Sequence, residues 1–96
     1  MALINTGFVK EDANEIGGVQ RIYKFASGWG LSLINSPMAH SYPFAWEAAV
    51  LNPNGRLDYS TELTSDVVVF DSDEEANEFI SRAYMLFTFD DRYSRR

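Results

Sequence analysis

Alternating apolar and polar positions predict a first pair of strands in the N-terminal half of the chain. Val19, Tyr23 and Phe25 share one parity over residues 19–25, as in a strand with one face in a core. Gly28 and Gly30 then flank Trp29, a pattern that predicts a hairpin turn because glycine tolerates positive φ. We expect the return strand over residues 31–34.

A second hairpin is predicted at the Asn-Pro-Asn-Gly sequence of residues 52–55. The proline presets φ for a type I turn, and the final glycine accepts the left-handed position that closes it. This turn would join strands over 44–51 and 56–59. A short run of β-branched residues predicts a fifth strand over 67–70.

An amphipathic helix is predicted after residue 72. Ser72 as N-cap and Glu75 three residues later match the capping-box pattern. Apolar residues then recur at helical spacing on one side: Ala76, Phe79, Ile80, Ala83, Leu86 and Phe87. The whole pattern predicts an α+β fold, in which an antiparallel meander of four to five strands is covered on one face by this single C-terminal helix. The opposite sheet face would be open to solvent or to a partner.

The chain divides into three predicted segments: an N-terminal arm over 1–18, a single α+β domain over 19–88, and a flexible basic tail over 89–96. The arm carries four apolar residues, which leave open whether it is mobile or docked on the domain: Leu3, Ile4, Phe8 and Val9. A length of 96 residues suits one hydrophobic core.

Composition excludes several classes of protein. The chain has no Cys and one His, which rules out disulfide scaffolds, thiolate metal sites and thiol nucleophiles. Its net charge of −6 argues against a surface that binds nucleic acid by neutralising phosphates. We find neither a stretch of about 20 apolar residues, which a membrane helix needs, nor the basic and apolar regions of a signal peptide. The expected location is therefore the cytoplasm.

His40 is the one candidate for acid–base chemistry, with Ser41 beside it. Adjacent loop residues rarely point at one another, and no nucleophile-elbow motif surrounds the serine. We therefore interpret His40 as a surface histidine and predict no catalytic, metal-binding or cofactor-binding residue. Trp46 is expected in the core because it shares parity with Ala48 and Val50.

The region between Asp58 and Asp91 contains ten acidic residues and a single base, Arg82. Helix capping with a solvated face explains such a run, and so does an acidic surface that attracts a basic protein. A calcium loop fits poorly because the central glycine and terminal glutamate are missing. Trp29, at the tip of a turn, resembles an exposed interface anchor. The predicted interface residues are Trp29, Tyr42, Phe44, Asp66, Asp71, Asp73, Glu74, Glu75 and Glu78.

Several segments in this order resemble small acidic accessory proteins of tailed bacteriophages. The shared features are Phe-x-x-Gly-Trp-Gly at 25–30, Trp-Glu-x-Ala-Val-Leu at 46–51 and Gly-x-Leu-x-Tyr at 55–59, followed by the acidic helix. The resemblance covers about residues 21–86, and Ser65-Asp66 stands where the family has paired acids. It implies an accessory phage protein that acts inside an infected bacterium, and it brings no catalytic motif.

Three functional hypotheses follow. The first is a non-enzymatic protein-binding module that inhibits a host protein, in counter-defence or host takeover, with an acidic face that imitates nucleic-acid phosphates in one variant. Its partner would be a host or phage protein with a basic surface, without nucleic acid, membrane or cofactor. The alternative is a homo-oligomeric structural or assembly module, such as a dimer joined through the open sheet face or an edge strand. An enzyme would depend on His40 alone.

Overall fold

In the part of the chain that the structure describes, five strands in chain order form one antiparallel sheet, and a long helix packs across one of its faces. The computed structural model describes residues 3–13, 18–35, 46–63 and 67–94. Its elements are β1 (Phe8–Ala13), β2 (Val19–Lys24), β3 (Gly30–Asn35), β4 (Trp46–Leu51), β5 (Val68–Phe70), α1 (Asp73–Phe89) and α2 (Asp91–Ser94). The predicted α+β fold, a meander covered by a C-terminal helix, is confirmed.

The first predicted hairpin is the connection between β2 and β3. The Gly28 N–H donates to the Phe25 carbonyl (2.9 Å), and the Phe25 N–H donates to the Trp29 carbonyl (2.8 Å). Gly28 has a φ of +97°, as the sequence required. Gly30 is needed for a different reason, since a Cβ there would lie 2.0 Å from the backbone oxygen of Tyr23.

The second predicted turn forms, but the strand expected after it does not. The Asn52 side-chain oxygen accepts the N–H groups of Asn54 (2.9 Å) and Arg56 (3.1 Å), and Gly55 has a φ of +80°. The predicted strand over 56–59 is wrong, because only one bridge, between Leu51 and Leu57, continues the ladder.

The chain turns away from β4 at Asp58. The Asp58 carboxylate accepts the hydroxyl and the backbone N–H of Ser60, and these hydrogen bonds hold the pKa of Asp58 below its usual range. The position beside β4 is taken instead by β5, where Val69 pairs with Glu47. This is the fifth strand that the sequence predicts.

α1 begins with the N-cap that the sequence predicts, Ser72. The Ser72 hydroxyl accepts the Glu75 N–H (3.2 Å), while the Glu75 carboxylate accepts the N–H of Asp71 (2.9 Å) instead of that of Ser72. The capping box is therefore present in a form shifted by one residue. The predicted stripe faces the sheet, with Leu86 half-buried and the others buried: Ala76, Phe79, Ile80, Ala83 and Phe87.

Side chains of α1 and of the sheet face beneath it form one core. Among the largest fully buried ones are Tyr23, Leu31, Leu33, Val50, Ile80 and Phe87. Trp46 packs against this core, as predicted, although it is only half-buried. On the other sheet face, Ile22, Ser32 and Ala49 lie in one row across three strands. Ser32 and Ala49 are nevertheless buried, so that face is not fully open.

Described residues of the N-terminal segment contact the rest of the domain. Leu3 is buried in the core cluster, and the Ile4 N–H donates to the Asn77 side chain of α1 (2.8 Å). The Tyr23 hydroxyl donates to the Ile4 carbonyl (2.8 Å) and accepts from Arg21 Nε (3.1 Å). The polar residues after it extend β1, which tolerates them because every residue of this edge strand is exposed.

Part of the expected tail over 89–96 is helical among the residues that the structure describes. Phe89 is the last residue of α1, and Asp91–Ser94 form α2. Tyr93 packs edge-on against the rings of Trp29 (5.2 Å between centroids) and Phe87 (5.0 Å). This aromatic contact fixes α2 beside the first hairpin turn.

We predict that Ser72→Ala lowers the free energy of unfolding by about 1 kcal/mol, because the Glu75 N–H loses its capping acceptor. Urea denaturation followed by circular dichroism measures the change. Ser81→Ala, at an exposed position in the middle of α1, is the control and should change stability by less than about 0.5 kcal/mol. Equal stability of Ser72→Ala and the wild type would contradict the assigned cap.

Burial raises the pKa of Tyr23, and the neighbouring Arg21 guanidinium offsets only part of this effect. The unfolded state therefore loses its tyrosine proton first, so stability should fall as pH rises above about 10. Tyr23→Phe should lower stability at neutral pH by about 1 kcal/mol and make this alkaline loss shallower. Unfolding curves between pH 7 and 11 test both effects. Tyr59→Phe, which removes an exposed hydroxyl, is the control and should change stability at neutral pH by less than about 0.5 kcal/mol.

Candidate protein-interaction surface

Six of the nine predicted interface residues lie in the described part of the chain. Tyr42, Phe44 and Asp66 fall outside it, as does His40. Five of the six are acids at or near the start of α1, and the sixth is Trp29. The structure therefore shows how these acids are arranged and where the tryptophan lies relative to them.

Two of these acids are engaged in holding the fold together. Asp73 accepts a hydrogen bond from Trp46 Nε1 (2.8 Å), which ties the beginning of β4 to the first turn of α1. Glu75 accepts the N–H of Asp71, as described above. Carboxylates at these positions also face the positive end of the helix dipole. Their presence is thus explained without a partner.

Glu74 and Glu78 are exposed on the side of α1 that faces away from the sheet. A spacing of four residues brings their side chains onto one stripe of the helix. Neither carboxylate forms an ion pair with any residue that the structure describes. These two charges remain available to a binding partner.

Trp29 is not brought next to the acids. Its ring stacks on Phe87 at 5.3 Å between centroids, with the ring planes 9° apart. Phe87 lies thirteen residues beyond Glu74, which corresponds to about 20 Å along the helix. Trp29 is half-buried in this stack and secures α2 as well as the hairpin turn.

Two exposed apolar residues lie on the same side of α1 as Glu74 and Glu78, and the sequence analysis did not predict them. We call this side of the helix, with Glu74, Glu78, Met85 and Phe89, the outer stripe of α1. Met85 and Phe89 have 57% and 62% of their surface exposed. Met85 follows Glu78 by seven residues and precedes Phe89 by four, so all three share one side of the helix. The sequence does contain a feature that indicates them: two apolar residues four positions apart that lie off the buried stripe of the predicted helix.

A shallow groove of about 630 Å³ runs between this apolar end of α1 and residues Glu62 and Leu63. Half-buried Leu63 and Leu86 lie in the groove next to Met85 and Phe89. Its other lining residues are Glu62, Ser81, Arg82 and Asp90. A second depression of about 370 Å³ adjoins it toward β5 and shares Leu63 and Arg82 with it.

A charged cluster closes the end of the groove. Arg92 donates from Nε and Nη2 to the two oxygens of Asp90 (3.0 and 2.8 Å), and its Nη2 also contacts Glu62. The Arg92 side chain is 61% exposed. The end of the groove thus already binds a guanidinium between two carboxylates that are 28 residues apart in the sequence.

Neither a metal centre nor a membrane span is found in the described ranges. No group of three or more His, Cys, Asp or Glu side chains in them is placed to hold a metal ion. None of their helices has both the length and the apolar character that crossing a membrane requires.

Met85→Ala and Phe89→Ala should each change the free energy of unfolding by less than about 1 kcal/mol, because both side chains are largely exposed. Phe87→Ala, two residues from Phe89 but fully buried, should cost about 3–5 kcal/mol. Chemical denaturation of the three variants tests this contrast. A large loss for the exposed pair would mean that these residues serve the fold and are not available for binding.

Comparison with known proteins adds no relative to this picture. The chain matches no protein family, no curated protein and no solved structure.

Proposed function

We propose that this chain is a non-enzymatic protein-binding module that uses the outer stripe of α1 to bind a basic surface on another protein. The observation that carries the proposal is the composition of that stripe. Exposed Met85 and Phe89 continue a line begun by Glu74 and Glu78, whose carboxylates pair with no described residue. Apolar anchors beside charged groups are the usual composition of a specific interface.

The two halves of the stripe would contribute differently to binding. Removing a methionine or phenylalanine side chain from water is worth about 1.5–3 kcal/mol. An exposed ion pair contributes about 0–1 kcal/mol and is weakened by salt. Affinity would therefore depend mainly on Met85 and Phe89, while Glu74 and Glu78 orient the partner and accelerate its approach.

The resemblance to accessory proteins of tailed bacteriophages supports a bacterial context. In this proposal, the protein acts in the cytoplasm of an infected bacterium and inhibits a host protein, in counter-defence or host takeover. A partner site that normally holds nucleic acid would be basic, and the acidic stripe would then imitate phosphates. This variant requires binding that weakens steeply as salt rises.

Edge-to-edge pairing at β1, one form of the homo-oligomeric alternative beside contact through the open sheet face, is disfavoured. The register shifts between Phe8 and Lys10, and the strand continues with charged residues, Lys10, Glu11 and Asp12. A bulge and a row of charges are common devices against pairing with another strand. The net charge of −6 adds repulsion between copies.

The proposal predicts that a partner captured from bacterial lysate binds the Met85→Ala/Phe89→Ala double variant at least tenfold more weakly. Glu74→Gln/Glu78→Gln should slow association and reduce the dependence of affinity on salt, because two interacting charges are removed. Surface plasmon resonance with the purified partner at several salt concentrations measures both effects. Leu57→Ala removes a side chain with similar exposure (56%) that does not line the groove, and should bind like the wild type.

Capture alone would not support the proposal, which requires that the α1 variants weaken binding. Failure to capture any specific partner at low salt would contradict it. Sedimentation over a wide concentration range gives a second check. A tight dimer that Met85→Ala/Phe89→Ala dissociates would assign the stripe to a second copy of the chain and favour the alternative.

A further inference from the structure

We infer that the groove between Leu63 and Phe89 receives an apolar side chain of the partner, followed by an arginine that replaces Arg92 between Glu62 and Asp90. This inference rests on the proposed function, since it names the chemistry by which the partner would be recognised. It adds to the outer stripe of α1 the groove beside Met85 and Phe89 and the charged end of that groove.

The apolar part of the groove favours binding of an apolar side chain of the partner. Leu63 and Leu86 are half-buried, while Met85 and Phe89 are largely exposed beside them. A side chain lying between them would remove apolar surface from water on both walls of the groove. A volume of about 630 Å³ is ample for one or two side chains of a partner.

The charge of the groove calls for a basic group. Four carboxylates line the two adjoining depressions, against one guanidinium in the lining and that of Arg92 at the end of the groove; the lining groups are Glu62, Glu75, Glu78, Asp90 and Arg82. The excess of negative charge disfavours an acidic segment and also disfavours a second copy of this chain, which carries a net charge of −6. A basic segment of a different protein is the occupant that fits.

Arg92 indicates that the basic group is an arginine. Its guanidinium already donates to both oxygens of Asp90 while it contacts Glu62. A planar fork with several donors can bridge two carboxylates in this way, whereas the ammonium of lysine is a single point charge. Arg92 thus shows the kind of group that this pair of acids binds.

Displacing the Arg92 side chain from its two carboxylates would cost little free energy. Its side chain is 61% exposed, and an ion pair so open to solvent contributes about 0–1 kcal/mol. A partner arginine that arrives with an apolar neighbour gains burial in the groove in addition to the same ion pairs. Arg92 would therefore act as an internal competitor that lowers affinity without preventing binding.

The probe for this inference is a synthetic 12-residue amidated peptide in which leucine and arginine alternate, with its lysine and glutamate counterparts for comparison. The chain has three methionines, so ¹³C-methyl labelling gives three NMR signals, and Met85→Leu identifies the one in the groove. The arginine peptide should shift the Met85 signal and bind at least fivefold more tightly than the lysine peptide. The glutamate peptide should not shift it.

Two variants change the competition in opposite directions. Arg92→Gln should tighten binding of the arginine peptide at least threefold, because the ion pairs of Arg92 with Glu62 and Asp90 no longer compete with it. Glu62→Gln should weaken it at least threefold. Asp12→Asn, which removes an exposed carboxylate on β1, is the charge-matched control and should stay within twofold of the wild type.

The inference is overturned if the lysine peptide binds as tightly, if Arg92→Gln has no effect, or if the Met85 signal does not move. A Met85 shift that depends on protein concentration without peptide would identify a second copy as the occupant and overturn it too. If a captured partner depends on Met85 and Phe89 but not on Glu62 or Arg92, the inference fails while the proposed function stands. If it depends on none of the four, both fail.

Discussion

Coverage of the sheet by a single helix is the constraint on which the remaining structure depends. Leu33 and Val50 are fully buried in the cluster to which Ile80 and the rest of the α1 stripe belong. A helix that presents one stripe to a core has its opposite side in solvent. The rotation about its axis that buries Ile80 therefore also places Glu78 and Met85 outside. The fold and the candidate surface are thus two results of the same packing contact.

Local chemistry explains which parts of the fold the sequence predicts correctly. Each hairpin turn needs particular residues within a few positions, and so does the helix cap at Ser72. The partner of β4 is a different kind of problem, because it depends on competition between segments that are distant in sequence. Leu57 begins a return strand beside β4. The hydrogen bonds from Ser60 to Asp58 then turn the chain away, and β5 pairs with the edge of β4 that is left open. Nothing within residues 52–59 alone reveals that outcome.

The same difference between local chemistry and contacts distant in sequence explains why the acidic residues of α1 were only partly interpreted from sequence. Composition shows that acids are concentrated at the start of α1, but not which carboxylates already serve the fold. Asp73 is engaged by Trp46, which is 27 residues away, whereas Glu74 is not paired among the described residues. The sequence analysis did not predict Met85 and Phe89, because it identified the buried stripe of the helix and left apolar residues on the other sides uninterpreted. Their four-residue spacing becomes informative once the position of the sheet is known.

Affinity and selectivity need not reside in the same residues of this surface. Apolar burial at Met85 and Phe89 is worth several times an exposed ion pair, yet it discriminates poorly between partners that offer any apolar side chain. Carboxylates contribute less free energy, but they exclude acidic partners and favour a guanidinium over an ammonium where two of them converge. Glu62 and Asp90 converge in this way, and they do so around an arginine whose exposed pairing adds little to the stability of the fold. Because that pairing is weak, a change at Arg92 would leave the core beneath α1 unchanged, and in the proposed mode of binding it would adjust affinity.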